Sequence, residues 1–133
     1  PDEIKDFAIK IPVDKIHDAL FFASLFVGDS QTMATEAAIL GTPTIRSNSF
    51  VGLNDMSNFI ELENKYELMY NIAESTLAID KAVELCLQKG IKSKWIEKRK
   101  KIFEDKIDVT NLMVKTVNDF PGSIKNLQIK LTS

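Results

Sequence analysis

The stretch LFVGDSQTMATEAAILGTP, residues 25–43, decides the fold. Leu25, Phe26 and Val27 form a continuous apolar run, the pattern of a strand buried on both faces of a parallel sheet, and Gly28 ends it. From about Gln31 to Leu40 the chain is rich in Ala, Met, Glu and Leu, residues that lose little freedom in a helix. Gly41 stands where a helix C-terminus wants a left-handed residue. Pro43 then opens a second short strand, Thr44 to Arg46, at a position where its missing N–H costs no ladder bond. Strand, helix and strand in so short a span predict a βαβ unit with parallel strands.

Working outward, the same alternation continues on both sides. Phe7, Ile9 and Ile11 alternate and are stopped by Pro12, which predicts an earlier strand. Asp14 to Ser24 follows as a helix, with Ile16, Ala19, Leu20 and Ala23 at helical spacing. Beyond Arg46, residues 47–58 read as a polar loop, with Asn54 and Asp55 as surface positions, and about Asn58 to Lys65 as a short helix. Leu68, Tyr70 and Ile72 suggest a further strand, with helix as the rival.

Ser75 is a candidate N-cap for a helix to Gln88 that presents Ile79, Ala82, Val83 and Cys86 on one face, which makes Cys86 a core residue. Two more helices are expected, about Ser93 to Asp105 and about Thr110 to Phe120. The second carries Leu112, Met113, Thr116 and Val117 as its inner face and ends at Pro121 and Gly122. The fold class expected is α/β: a Rossmann-like parallel sheet flanked by helices, with extra C-terminal helices that pack on the sheet or cross to a partner domain.

The 133 residues fit one domain, 1–133, and the composition, 44% hydrophobic and 27% charged, is that of an ordinary globular protein. No run approaches the roughly 20 apolar residues needed to cross a bilayer, so no membrane is expected. A lone Cys86 makes no internal disulfide and no signal pattern opens the chain, from which a cytoplasmic location is expected. The net charge of −2 supplies no general field for nucleic acid. Residues 89–106 hold eight Lys/Arg against three acids, and within them Lys98-Arg99-Lys100-Lys101 could mark a nucleic-acid patch, but a single basic run without interleaved aromatics usually is a solvated helix face. His17 is the single histidine and Cys86 the single cysteine, too few for a soft-metal site, so no metal and no cofactor are expected. Trp95 reads equally as buried or interfacial.

The turn between Gly28 and Glu36 is where chemistry is expected. The leading N–H groups of a helix have no intrahelical partner, and the aligned peptide dipoles add about half a positive charge there. A phosphate, and better a diphosphate, is therefore a favourable ligand, with Ser30, Gln31, Thr32 and Met33 as its candidate contacts. Glu36 sits about one and a half turns along, able to turn two oxygens toward the vicinal hydroxyls of a ribose. Asp29, Arg46, Asn48 and Ser49 fall at or just after strand ends, hence beside the same turn, where parallel sheets bind ligands. Each residue also has a plainer use: Ser30 as a helix cap, Thr32 and Glu36 facing solvent, Asp29 bonding nearby N–H groups, and Arg46, Asn48 and Ser49 in a polar loop. No Gly-x-Gly-x-x-Gly, Walker-type Gly-Lys-Ser or Gly-x-Ser-x-Gly occurs.

At these residues the chain resembles the C-terminal nucleotide-binding domain of the UDP-N-acetylglucosamine 2-epimerases and related two-Rossmann-domain (GT-B-like) glycosyltransferases. It is closer still to an uncharacterised family related to them, with a Thr-Met-x-x-Glu-Ala-Ala-x-Leu-Gly-x-Pro run, present here as Thr32 to Pro43. In the epimerases the turn reads Asp-Ser-Gly-Gly, three residues, Glu-Ala, then Leu-Gly-x-Pro. Asp29 and Ser30 match its opening, Glu36 and Ala37 its centre, and Leu40, Gly41 and Pro43 its close, with the spacing kept. Gln31 and Thr32 replace the two glycines, so side-chain contacts would stand in for close backbone approach. A looser similarity in element order, including Asp108-Val-Thr110 before the last helix, extends to about Pro121.

The resemblance implies that Ser30 and the backbone around Thr32 hold the diphosphate of a UDP-sugar, UDP-N-acetylglucosamine first, and that Glu36 holds the ribose. It also implies an N-terminal domain missing from this chain, which would be the C-terminal half of an epimerase (an isomerase) or a glycosyltransferase-like enzyme. Catalysis would lie between the domains, so this part alone would bind without turnover, and a homodimer is the assembly allowed for. The rival from another class is a non-catalytic, flavodoxin-like interaction or regulatory module. The two readings differ in whether UDP perturbs the amides of Ser30 to Met33.

Overall fold

Three short strands, β1 (Phe26–Gly28), β2 (Thr44–Arg46) and β3 (Met69–Asn71), form a parallel sheet in the order β1-β2-β3 in a computed structural model that describes residues 2–52 and 55–122. The register pairs Gly28 with Arg46 and Arg46 with Asn71, so the carboxyl ends of all three strands finish level. The described residues also form six α-helices: α1 (Ile16–Phe22), α2 (Gln31–Leu40), α3 (Ser57–Asn64), α4 (Ser75–Leu87), α5 (Ile91–Asp105) and α6 (Val109–Asn118). The molecule is α/β, with a parallel sheet flanked by helices, as the alternating signals predict. Two compact units divide it, residues 1–102 and 103–133.

The core of the first unit forms where small α2 residues meet the sheet. Ala34 and Ala38 are fully buried together with Ile45 of β2, and Phe59 and Leu62 bring α3 onto the same cluster. Alanines here let helix and sheet approach closely, since each buries a side chain at no rotamer cost. Gly41 ends α2 in the left-handed region, φ +84°, as its position predicts. Its N–H donates to Ala38 O and the N–H of Thr42 to Ala37 O, which satisfies two of the carbonyls the helix end would otherwise orphan.

Helix α5 closes the opposite end of the sheet, and it does so with its cations. Lys92 Nζ donates to the carbonyls of Phe21, in the last turn of α1, and of Ala23, just past it, and to Thr42 Oγ1. Arg99 Nη1 reaches Leu40 O at 2.6 Å, at the end of α2. Lys98 donates to Glu67 O and Lys101 to Lys65 O, both just past α3. One helix thus supplies positive donors to the C-terminal carbonyls of three others, where both the hydrogen bond and the dipole favour a cation. Burial and the neighbouring Arg99 hold the Lys92 ammonium below its ordinary pKa. Trp95 is buried and donates Nε1–H to Leu68 O at 2.8 Å.

Three expectations are corrected. Residues 7–11 form no strand: Asp2–Phe7 is a 3-10 helix, and Phe7 and Ile9 are about four-fifths exposed. Alternation is not enough for a strand without a ladder partner, and among the described residues β1 pairs with β2 alone. On α4 the buried stripe is Ala78 and Leu85 with Ala82 beside them, while Ile79, Val83 and Cys86 are exposed. That helix is apolar on several sides, so spacing alone does not choose the inward face. Its cap position is Glu74, and Ser75 is the first helical residue.

In the second unit, α6 is capped by Asp108, whose side chain accepts the N–H of Asn111 at 2.9 Å. Its expected inner face is not covered among the described residues: Leu112, Met113 and Val117 are exposed, and Thr116 is half-buried. The basic run 98–101 is exposed at Lys100 and Lys101 and half-buried at Lys98 and Arg99, while Lys92, Lys98, Arg99 and Lys101 also donate to carbonyls at or just past neighbouring helix ends. No described helix is long and apolar enough to cross a membrane.

Candidate functional site

The site is built by the turn that joins β1 to α2. Ser30 takes the cap position with extended backbone, φ −66° and ψ 115°, and its Oγ accepts the N–H of Met33 at 3.3 Å. The N–H of Ala34 donates to Ser30 O, the first bond of the helix proper. Two leading donors remain, the N–H groups of Gln31 and Thr32, which have no hydrogen-bond partner among the described residues. The edge expected to meet an anion is therefore open at Gln31 and Thr32 and closed at Met33, whose N–H Ser30 occupies.

The neighbouring strand end is tied to this turn. Ser47 N–H donates to Gly28 O at 3.0 Å, continuing the ladder by one residue, and Asn48 Nδ2 donates to Asp29 O at 3.1 Å. Asn48 Oδ1 in turn accepts the N–H of Phe50. A groove of about 580 Å³ opens here, lined by Asp29, Gln31, Asn48, Ser49 and Phe50. A second groove of about 380 Å³ runs between α2 and α3, lined on the α2 side by Gln31, Thr32, Thr35 and Glu36. Gln31 is common to both, so the leading end of α2 stands where the two grooves adjoin. Among the described residues neither is lined by Lys or Arg.

Of the residues the sequence singles out, Asp29, Gln31, Thr32, Glu36, Asn48 and Ser49 come together along these grooves. Ser30 and Met33 are half-buried and bonded to each other. Arg46 goes elsewhere, which corrects both its placement in the cleft and its placement in a polar loop. It is fully buried, its guanidinium stacked 3.8 Å from the centre of the Phe59 ring. Nε donates to Asn71 Oδ1 at 2.8 Å, and Nη2 is paired with Asp55.

Asn71 extends this network, donating Nδ2–H to Glu63 and to Phe59 O while its N–H also meets Glu63. Nη1 of Arg46 is a buried nitrogen with no hydrogen-bond partner among the described residues. Asp55, read as a surface residue, is corrected to a half-buried one whose side chain is only 6% exposed, and Asn54 lies outside the described residues. His17, which the sequence leaves without a clear task, projects from α1 with Nε2 3.5 Å from Glu36 Oε2. Signals for these pairings are absent from the local sequence, because every partner arrives from a different element.

Among the described residues no group of three or more His, Cys, Asp or Glu is arranged to hold a metal ion. The arrangement offers two backbone donors, hydroxyls, side-chain amides and two carboxylates, Asp29 in one groove and Glu36 in the other. That set suits an oxyanion joined to a polyhydroxylated group. Comparison with protein-family models, with curated proteins and with solved structures gives no match.

Proposed function

We propose that this chain binds a nucleoside diphosphate-sugar, UDP-N-acetylglucosamine first among the candidates, at the leading end of α2. The observation that carries the reading is the pair of unpartnered N–H groups at Gln31 and Thr32, which open onto the same groove as the Glu36 carboxylate. Thr32 and Glu36 are four residues apart, hence about 6 Å along one helix face, which is the reach from a diphosphate to the ribose that carries it. The position at the carboxyl end of a parallel sheet supports the same reading, since ligands of such sheets bind there. In this reading the chain is the nucleotide-binding half of a two-domain, GT-B-like epimerase or glycosyltransferase, and its partner domain would supply the rest of the cleft.

A second reading, a non-catalytic flavodoxin-like interaction module, draws on two observations. Ser30 already serves as an ordinary helix cap, and among the described residues no cation lines either groove. Titration of the chain with UDP separates the two. The nucleotide reading expects amide shifts at residues 30–33 and at Asn48, and a Glu36→Ala variant that binds UDP about ten-fold more weakly, the weight of hydrogen bonds to a charged acceptor. Its stability should change by no more than about 0.5 kcal/mol. Unmoved amides, or a Glu36→Ala variant with wild-type affinity, would favour the interaction module.

A further inference from the structure

We infer that His17 is a positioning residue for Glu36, and through it a determinant of ribose recognition in the groove between α2 and α3; the inference rests on the nucleotide reading above. Helix α1 packs against α2, and Glu36 is the single ionisable side chain that α2 carries. Across that contact stands the chain's one histidine, Nε2 3.5 Å from Glu36 Oε2. The other charged groups on the His17 side are Asp14, Lys15 and Asp18, of which Lys15 and Asp18 are paired with each other at 3.5 Å. Glu36 is thus the acid that faces His17 from the neighbouring element. Oε1 of Glu36 has no hydrogen-bond partner among the described residues, and the side chain lines the groove.

The division of the carboxylate is what gives the contact a consequence. A free glutamate spreads over many rotamers, and ordering one on binding costs up to about 1.5–2 kcal/mol. An imidazole standing against one oxygen narrows that spread before ligand arrives and leaves the second oxygen to accept from a ribose hydroxyl. Preorganisation of this kind improves affinity by removing an ordering cost, without any new contact to the ligand. The effect is confined to the part of the ligand that Glu36 meets: the diphosphate lies a turn away, on the N–H groups of Gln31 and Thr32.

The experiment measures the affinity of the full chain for UDP and for inorganic pyrophosphate in wild type, His17→Ala and His17→Gln. His17→Ala should weaken UDP by about three- to five-fold, the upper range for an exposed ion pair, and leave pyrophosphate unchanged. His17→Gln, which keeps an N–H donor, should restore most of the loss. His17 is well exposed at 63%, so neither variant removes a core residue. Equal weakening of UDP and pyrophosphate would mean that His17 only supports the packing of α1 on α2, and unchanged UDP affinity in His17→Ala would also overturn the inference. A wild-type chain that binds pyrophosphate but not UDP, or neither, would instead remove the nucleotide reading, and the inference with it.

Discussion

Arg46 is the residue at which burial and charge meet most sharply. A guanidinium cannot shed its proton at neutral pH, so a fully buried one must be compensated by protein groups. Asp55 supplies the charge, Asn71 an acceptor and Phe59 a ring face. Asp55→Ala removes the only formal counter-charge paired with Arg46 among the described residues, and breaking one side of a buried ion pair costs about 3–5 kcal/mol. Urea unfolding should register a loss of that size, and Asp55→Ala combined with Arg46→Met should lose less than Asp55→Ala alone, because no orphaned charge is left. If Asp55→Ala costs under about 1 kcal/mol, Arg46 finds compensation outside its partners in the structure. Asp55 also accepts the N–H of Met56 at 2.8 Å, so the same carboxylate holds the residue that precedes α3 while it neutralises a cation of β2.

At the scale of elements, the join between α2 and α5 turns on Gly41. A Cβ there would lie 2.8 Å from Arg99 Cδ and 3.4 Å from Ile96 Cα, with φ already positive. Gly90 is also in the left-handed region, φ +70°, but a Cβ would meet nothing within 4 Å. Alanine at Gly90 should therefore cost only the backbone strain, about 1–2 kcal/mol, and alanine at Gly41 measurably more, because Arg99 must release Leu40 O. Thermal unfolding of the two variants checks this; equal shifts would mean that Arg99 yields without loss.

What could be read in advance follows the same division. Residues 25–46 were legible because each signal is local: the apolar run of β1, the Ser30 cap, the alanine-rich α2 and the Gly41 stop each act within a few residues of themselves. The 7–11 alternation misled because a strand depends on a neighbour that its own pattern does not reveal. The face of α4 was ambiguous because two apolar stripes share Ala82. At the site, Gln31, Thr32 and Glu36 follow from helical spacing, whereas Arg46 with Asp55, and His17 with Glu36, depend on which elements pack together. The basic run reads as a solvated face, and composition does not show that some of its cations also reach the ends of neighbouring helices.

For the molecule as a whole, the two ends of the sheet are electrostatic opposites of what composition suggests. The carboxyl end offers partial positive charge from α2 but, among the described residues, no Lys or Arg in its grooves. Toward the amino end a groove of about 530 Å³ is lined by Lys65, Lys94, Lys98 and Lys101, together with Glu67 and Glu97. Lys98 is paired with Glu67 and also bonds a backbone carbonyl, and Lys101 bonds another. Nucleic-acid affinity comes chiefly from cations free to replace counterions on phosphates; Lys98 and Lys101 are already bonded to carbonyls past α3 and Lys65 is paired with Glu61, in a chain of net charge −2. A labelled oligonucleotide should therefore give no saturable rise in anisotropy at about 150 mM salt with up to roughly 100 µM protein. UDP should shift amides only at the carboxyl end, in α2 and after β2. Binding of the oligonucleotide with a steep salt slope, or UDP shifts centred on α5, would mean that the lysines leave the helix ends to meet phosphate, and would place the anion site at the end of the sheet opposite to α2's leading turn.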